Sequence, residues 1–110
     1  MSLDLHLEVD YCFACGRADG AWWRNATHNL VSMWQEAGVY SALYESDGAR
    51  AGNLLDALRI GLADMTNRPE AYRALSPSNG WGSYEGAVDF LESLIRKCTE
   101  FPEARVRVCR

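Results

Sequence analysis

Leu3, Leu5, Leu7, Val9 and Tyr11 alternate with Asp4, His6, Glu8 and Asp10 near the start of the chain. A period of two with one apolar face predicts a half-buried β-strand. Cys12 to Gly20 contains Gly16, Asp19 and Gly20 and reads as a turn, and Trp22-Trp23-Arg24 reads as a short second strand. A helix is expected from near Thr27. Thr27 or Asn25 offers a side-chain oxygen to the free N–H groups of its first turn. Leu30, Val31, Trp34 and Ala37 then fall on one stripe. Gly38 ends it, because glycine takes the left-handed cap conformation without strain. Val39 to Tyr44 is apolar and rich in β-forming residues, which predicts a short strand or a buried extended connector. Ser46, Asp47 and Gly48 form a turn.

A second helix is predicted from Ala49 to Thr66, with Leu54, Leu55, Leu58, Leu62 and Met65 as its buried stripe. Gly52 and Gly61 inside it each cost about 1 kcal/mol against alanine, so a close neighbour is expected at both. Pro69 opens a short helix over Glu70 to Leu75. Ser76 to Gly82 is a loop. The last helix spans Ser83 to Thr99, with Ser83 as its cap and Glu85 in the positive end of its dipole. Ala87, Val88, Leu91, Leu94, Ile95 and Cys98 face inward. Arg105 to Arg110 alternates again, with Val106 and Val108 to one side. This order predicts an α+β domain over 1–110. A small sheet of two or three strands has the N- and C-terminal strands side by side, and three main helices cover one face.

The chain has 110 residues, 48% of them hydrophobic, and 11 basic against 15 acidic side chains give a net charge of −4. That suits one globular domain and excludes a disordered chain. No apolar run approaches the roughly 18 residues of a membrane helix. A pI near 5.1 speaks against general nucleic-acid binding, which wants a basic face. Asp4, Glu8 and Asp10 exclude a signal peptide at the start, so a cytoplasmic setting is expected, with its cysteines reduced.

Three stretches carry candidate chemistry. Cys12-Phe13-Ala14-Cys15-Gly16 has the spacing of a zinc knuckle, and zinc is the one cofactor the sequence suggests. Cys98, Cys109 or His28 would have to complete the site; otherwise these are ordinary thiols. A redox dithiol would need a helix where Gly16, Asp19 and Gly20 follow. Asn25-Ala26-Thr27-His28-Asn29 is the densest polar cluster at a helix start. It reads as capping, or as a binding site in which the helix N-terminus attracts an anion and Trp22 and Trp23 stack on a ring. Asn79-Gly80-Trp81-Gly82-Ser83-Tyr84-Glu85 places a tryptophan between glycines. Trp81 is either an anchor folded into the core or part of a binding loop, with Tyr84 as a contact and Glu85 as acid or base. If both helix starts lie on one side of the molecule, the two clusters share a pocket. No P-loop, dinucleotide fingerprint or nucleophile elbow occurs, and no residue is assigned a catalytic role.

At these clusters the chain resembles a family of small proteins without an assigned activity, associated with bacteriophages, prophages and their bacterial hosts. The family shows an Asn-Ile-Thr-His-Asn-Leu block and an Asn-Gly-Trp-Gly-x-Tyr-Glu block. Here they read Asn25-Ala26-Thr27-His28-Asn29-Leu30 and Asn79-Gly80-Trp81-Gly82-Ser83-Tyr84-Glu85, with Ala26 in place of isoleucine. Met33 and Ala37-Gly38-Val39-Tyr40 extend the likeness, which covers about residues 22–98. The resemblance implies a phage-type accessory protein acting inside a bacterial cell. The expected function is a non-enzymatic binding module for a host or phage protein. One alternative is a small enzyme or nucleotide- or anion-binding protein with a pocket at two helix starts around His28. Another is a zinc-stabilised interaction domain built on Cys12 and Cys15. The candidate ligand-binding residues are Asn25, Thr27, His28, Asn29, Trp81, Tyr84 and Glu85.

Overall fold

Three antiparallel strands, β1 (Ser2–Glu8), β2 (Gly20–Thr27) and β3 (Arg105–Cys109), form a sheet in the order β2-β1-β3. The computed structural model describes residues 2–9, 20–80 and 82–110. The terminal strands are neighbours, as the alternation at both ends predicts. Leu5 lies opposite Val108 and Leu7 opposite Val106, while Leu3, Leu5, Leu7 and Val106 are all 0% exposed. The second strand is longer than the Trp22-Trp23-Arg24 segment read from sequence. It runs through Asn25 and Ala26 to Thr27, because Asp4, Leu3 and Ser2 pair with these three residues in turn.

Thr27 ends β2 in an extended conformation and caps a tight 3-10 turn over His28–Leu30. The α-helix proper, α1, follows at Val31–Ala37. Gly38 closes it at φ 75, where a side chain would be strained. The next segment corrects an expectation: Val39 to Tyr44 is neither strand nor extended connector. Tyr40–Tyr44 is a helical turn, α2, held by Leu43 N–H donating to the Val39 carbonyl at 3.0 Å and Glu45 N–H to the Ser41 carbonyl at 2.9 Å. Val39, Ala42 and Leu43 recur at spacings of three and four and are all buried, so helical periodicity overrode β-propensity here.

The second predicted helix starts later, as a 3-10 turn over Ala51–Leu54 that leads into α3 (Leu55–Asn67). Leu54, Leu58 and Met65 are buried, whereas Leu55 and Leu62 are only partly covered. Both helical glycines have the expected close neighbours. A methyl group on Gly61 would overlap the Val39 side chain and come within 2.9 Å of the Ala37 carbonyl oxygen. One on Gly52 would lie 3.1 Å from the Pro102 Cβ. Pro69 opens the short α4 (Pro69–Arg73), and Ser83 caps α5 (Tyr84–Glu100) by accepting the Gly86 N–H at 3.0 Å.

The helices α3 and α5 pack against each other, and α5 runs along β2. Leu58, Leu91, Leu94 and Cys98 are fully buried in one cluster with the inner face of the sheet, while Val88 and Ile95 flank it. The outer edge of β3 is also covered. Gly48 N–H donates to the Val106 carbonyl and Val106 N–H to the Ala49 carbonyl, both at 2.8 Å. The other face of the sheet carries polar and aromatic side chains, and among the described residues no helix lies over it. No described helix is long and apolar enough to cross a membrane.

Candidate functional site

The end of β2 and the start of α5 meet. Gly82 sits at φ +106 directly against the β2–α1 junction, and a Cβ there would lie 2.9 Å from the Thr27 methyl and 3.0 Å from Leu30. Only glycine allows this approach without strain. Beside the contact a groove of about 230 Å³ opens between the strand and the helix. Thr27, Leu30 and Asn25 line one wall and Gly82, Ser83 and Gly86 the other. Its floor runs along Ala26 to Phe90, and Arg24 reaches over it to Asp89 at 3.0 Å, with the guanidinium 5.7 Å from the Phe90 ring centroid. The two polar clusters, from opposite halves of the chain, therefore contribute to one groove through Asn25, Thr27, Gly82 and Ser83.

His28, Asn29, Tyr84 and Glu85 do not line the groove. Asn25 lies at the groove rim, and its amide donates to Ser2 Oγ and Asp4 Oδ1, both at 2.8 Å. The Thr27 hydroxyl accepts from the Asn29 backbone N–H at 3.3 Å and from its side-chain amide at 3.1 Å, so Thr27 is the cap and Asn29 folds back on it. His28 does not line the groove. Its Nδ1 shares a 2.8 Å hydrogen bond with the Tyr44 hydroxyl, and the two rings are tilted at a centroid distance of 5.5 Å. Tyr44 is 4% exposed and stacks on Tyr40 at 4.6 Å. Burial first, and then neighbouring Tyr40, raises the Tyr44 pKa, so the hydroxyl stays protonated and available to the imidazole.

Tyr84 and Glu85 point away from the groove. Tyr84 is 7% exposed; its hydroxyl donates to the Met65 carbonyl at 2.8 Å, and the Arg73 guanidinium lies 4.9 Å from its ring centroid. Glu85 is exposed and pairs with Arg73 Nε at 3.4 Å. The ring and hydroxyl of Tyr84 thus tie α5 to α3 and α4, where a ligand contact was expected. Trp81, Cys12 and Cys15 lie outside the described residues. Cys98 is fully buried, which pushes its thiol up to about 12, and Cys109 is exposed opposite Asp4 at the far end of β1 from Glu8. Among the described residues no group of three or more His, Cys, Asp or Glu side chains is placed to hold a metal ion.

Two arrangements escaped the sequence reading. One is the Tyr40–Tyr44–His28 stack, whose only trace is the i, i+4 spacing of the tyrosines in a segment expected to be extended. The other is a surface network in which Asp64 accepts from both Tyr72 and Arg68, while Arg68 also reaches Glu36 at 3.3 Å. The hydrogen bonds from Arg68 and then Tyr72 lower the Asp64 carboxyl to about 2. Burial and the Asp64 contact raise the Tyr72 hydroxyl to about 12. This network ties α1, α3 and α4 together away from the groove. In comparisons with protein-family models, curated proteins and solved structures, the chain matches none.

Proposed function

We propose that this chain is a non-enzymatic binding module that docks on a host or phage protein through the groove between β2 and the start of α5. The observation that supports this reading is the convergence of both sequence clusters on that groove. Gly82 is pressed against Thr27, and Ser83 and Gly86 face Asn25 and Thr27 across it. Its lining combines an apolar floor with amide, hydroxyl and guanidinium groups, the mixture that fixes and orients a protein segment. The phage setting comes from the resemblance of the two blocks.

Gly86→Leu tests this reading by filling the groove from the helix side. Gly86 is exposed in the first turn of α5, and its methyl position meets only Ser83 Oγ, at 3.2 Å. The wild type and the variant would be used side by side to capture partners from a bacterial lysate, and any captured protein would then be purified and titrated. The expected result is saturable binding to the wild type and at least tenfold weaker binding to the equally folded variant. A parallel thermal-shift screen with nucleotides, sugars and metal ions tests the alternatives. Stabilisation by one nucleotide or anion class that His28→Ala abolishes would replace the docking reading with a ligand pocket around His28. Stabilisation by zinc that Cys12→Ser abolishes would favour the zinc-stabilised domain.

A further inference from the structure

The face of the sheet that no described helix covers carries a row of planar side chains in cross-strand register. His6 on the central strand lies opposite Trp23 on β2 and opposite Arg107 on β3. Neighbouring strands are about 4.8 Å apart, so indole, imidazole and guanidinium stand in a row about 10 Å across, the first two with their planes tilted at 41°. Trp23 is 57% exposed, one of two large hydrophobic side chains exposed among the described residues, and its ring lies 6.1 Å from that of His6. The next row places the Asn25 amide on the Asp4 carboxylate. From Trp23 to Thr27 on β2, and along β1 and β3, the other paired positions on this face carry polar, ionisable or thiol side chains.

That composition discriminates between partners. A protein interface has a largely apolar centre with aliphatic and aromatic contacts, and this face offers a single indole. Planar groups flanked by hydrogen-bonding side chains suit a ligand that is itself planar and has polar edges. Charge adds a direction. Arg107 pairs with Glu8 at 3.2 Å with both side chains 49% exposed, a contact that solvent screens and a phosphate can replace. Arg105 donates to the Gly48 carbonyl at 2.9 Å and has no carboxylate partner among the described residues. The aromatic side of the face is thus β2 and β1, and the cationic side is β3.

We infer that this face binds short single-stranded nucleic acid, with bases stacking on Trp23 and His6 and phosphates lying along Arg105 and Arg107. Exposed aromatic side chains on an open sheet take unpaired bases because every base presents a π-face. The acidic average of the chain, which argues against nucleic acid when read as one number, does not describe this face. Asp4 and Glu8 there are matched by Arg105 and Arg107. Stacking therefore carries most of the binding, and the salt dependence is shallow. Asn25 borders both sites, but Trp23, His6, Arg105 and Arg107 do not line the docking groove, so their substitution tests this inference apart from the docking reading.

The test is fluorescence anisotropy of labelled twelve-residue oligonucleotides, dT and rU homopolymers and one mixed sequence, titrated with the whole protein over a range of salt. Saturable binding is expected, with log K falling against log salt at a slope of about −1.4 for two phosphates on a single strand. Trp23→Ala is expected to weaken binding by about fivefold or more, as loss of one stacked base requires. Arg105→Ala and Arg107→Ala should each reduce the slope by about 0.7. Thermal melts of all three variants check that they remain folded, which the exposure of these side chains favours. Duplex of the same sequence should bind more weakly, because its bases are already stacked. Three outcomes would overturn the inference: no saturable binding of any single strand at low salt, equal binding of duplex, or single-strand affinity that folded Trp23→Ala leaves unchanged. Loss of a protein partner on Trp23→Ala, with no oligonucleotide binding by the wild type, would assign the face to protein docking instead.

Discussion

Gly61→Ala sets a local preference against a tertiary one. Alanine in place of glycine inside an exposed helix stabilises by about 1 kcal/mol. At Gly61 the added methyl would overlap the Val39 side chain and lie 2.9 Å from the Ala37 carbonyl oxygen. The carbonyl is backbone at the corner between α1 and α2, where Gly38 fixes the chain at φ 75 and Val39 is 0% exposed. Neither neighbour is the free end of a long side chain, so the corner and α3 must separate. Overpacking of this kind costs about 1–3 kcal/mol, and a substitution that displaces backbone belongs at the upper end. The expected balance is a net loss of about 1–2 kcal/mol, or roughly 4–10 °C in Tm for a domain of this size. Urea denaturation monitored by circular dichroism measures it. Val39→Ala removes the overlapping methyl groups, so the double variant should be less destabilised than the sum of the singles by about 1 kcal/mol. A Gly61→Ala protein as stable as wild type, or strictly additive behaviour with Val39→Ala, would refute the claim that this glycine is required by the contact of α3 with the α1–α2 corner.

Leu58→Ala and Leu91→Ala should each cost about 2–5 kcal/mol, since both side chains are 0% exposed; a loss below about 1 kcal/mol at either would contradict the observed helix faces. The Asp64 carboxyl lies at about 2 in the folded protein against 3.8 ordinarily, because Arg68 and Tyr72 donate to its charged form. Its stabilising effect is thus complete above about pH 4 and is lost as the pH falls from there through 2. Denaturation midpoints across that window should fall more steeply for wild type than for Asp64→Asn, and parallel slopes would count against the network. Zinc binding by Cys12 and Cys15 would appear as stoichiometric metal in protein purified without added zinc, with a lower Tm on chelation; sub-stoichiometric metal and an unchanged melt would leave them as thiols. Tyr84→Phe should lower stability by about 1 kcal/mol through loss of the bond to the Met65 carbonyl, measurable by the same denaturation series.

Much of the architecture is written in short-range patterns. The alternation around Leu3, Leu5 and Leu7 and again around Val106 requires strands with one buried face, because successive side chains of a strand point to opposite sides. Gly38 and Ser83 mark helix ends through backbone conformation and capping, which depend on a few adjacent residues. The α+β class, with helices on one face of the sheet, follows from those patterns together. The segment from Val39 to Tyr44 shows where such reading fails: its residue types favour strand and its spacing favours helix, and packing of Val39 against Gly61 of α3 decided between them. The same holds at the candidate site. The two clusters stood out as residues, but whether they met depended on how α5 lies along β2. That packing set Thr27 beside Ser83, while the fold of α1 onto α2 brought Tyr44 to His28 and the contact of α5 with α3 sent Tyr84 toward Met65. The row of Trp23, His6 and Arg107 is likewise a product of strand register, which joins residues from both ends of the chain. Periodicity and capping act within a few residues and so are local to the sequence; which distant elements touch is settled by burying all their apolar faces at once, and that exists only in the folded structure.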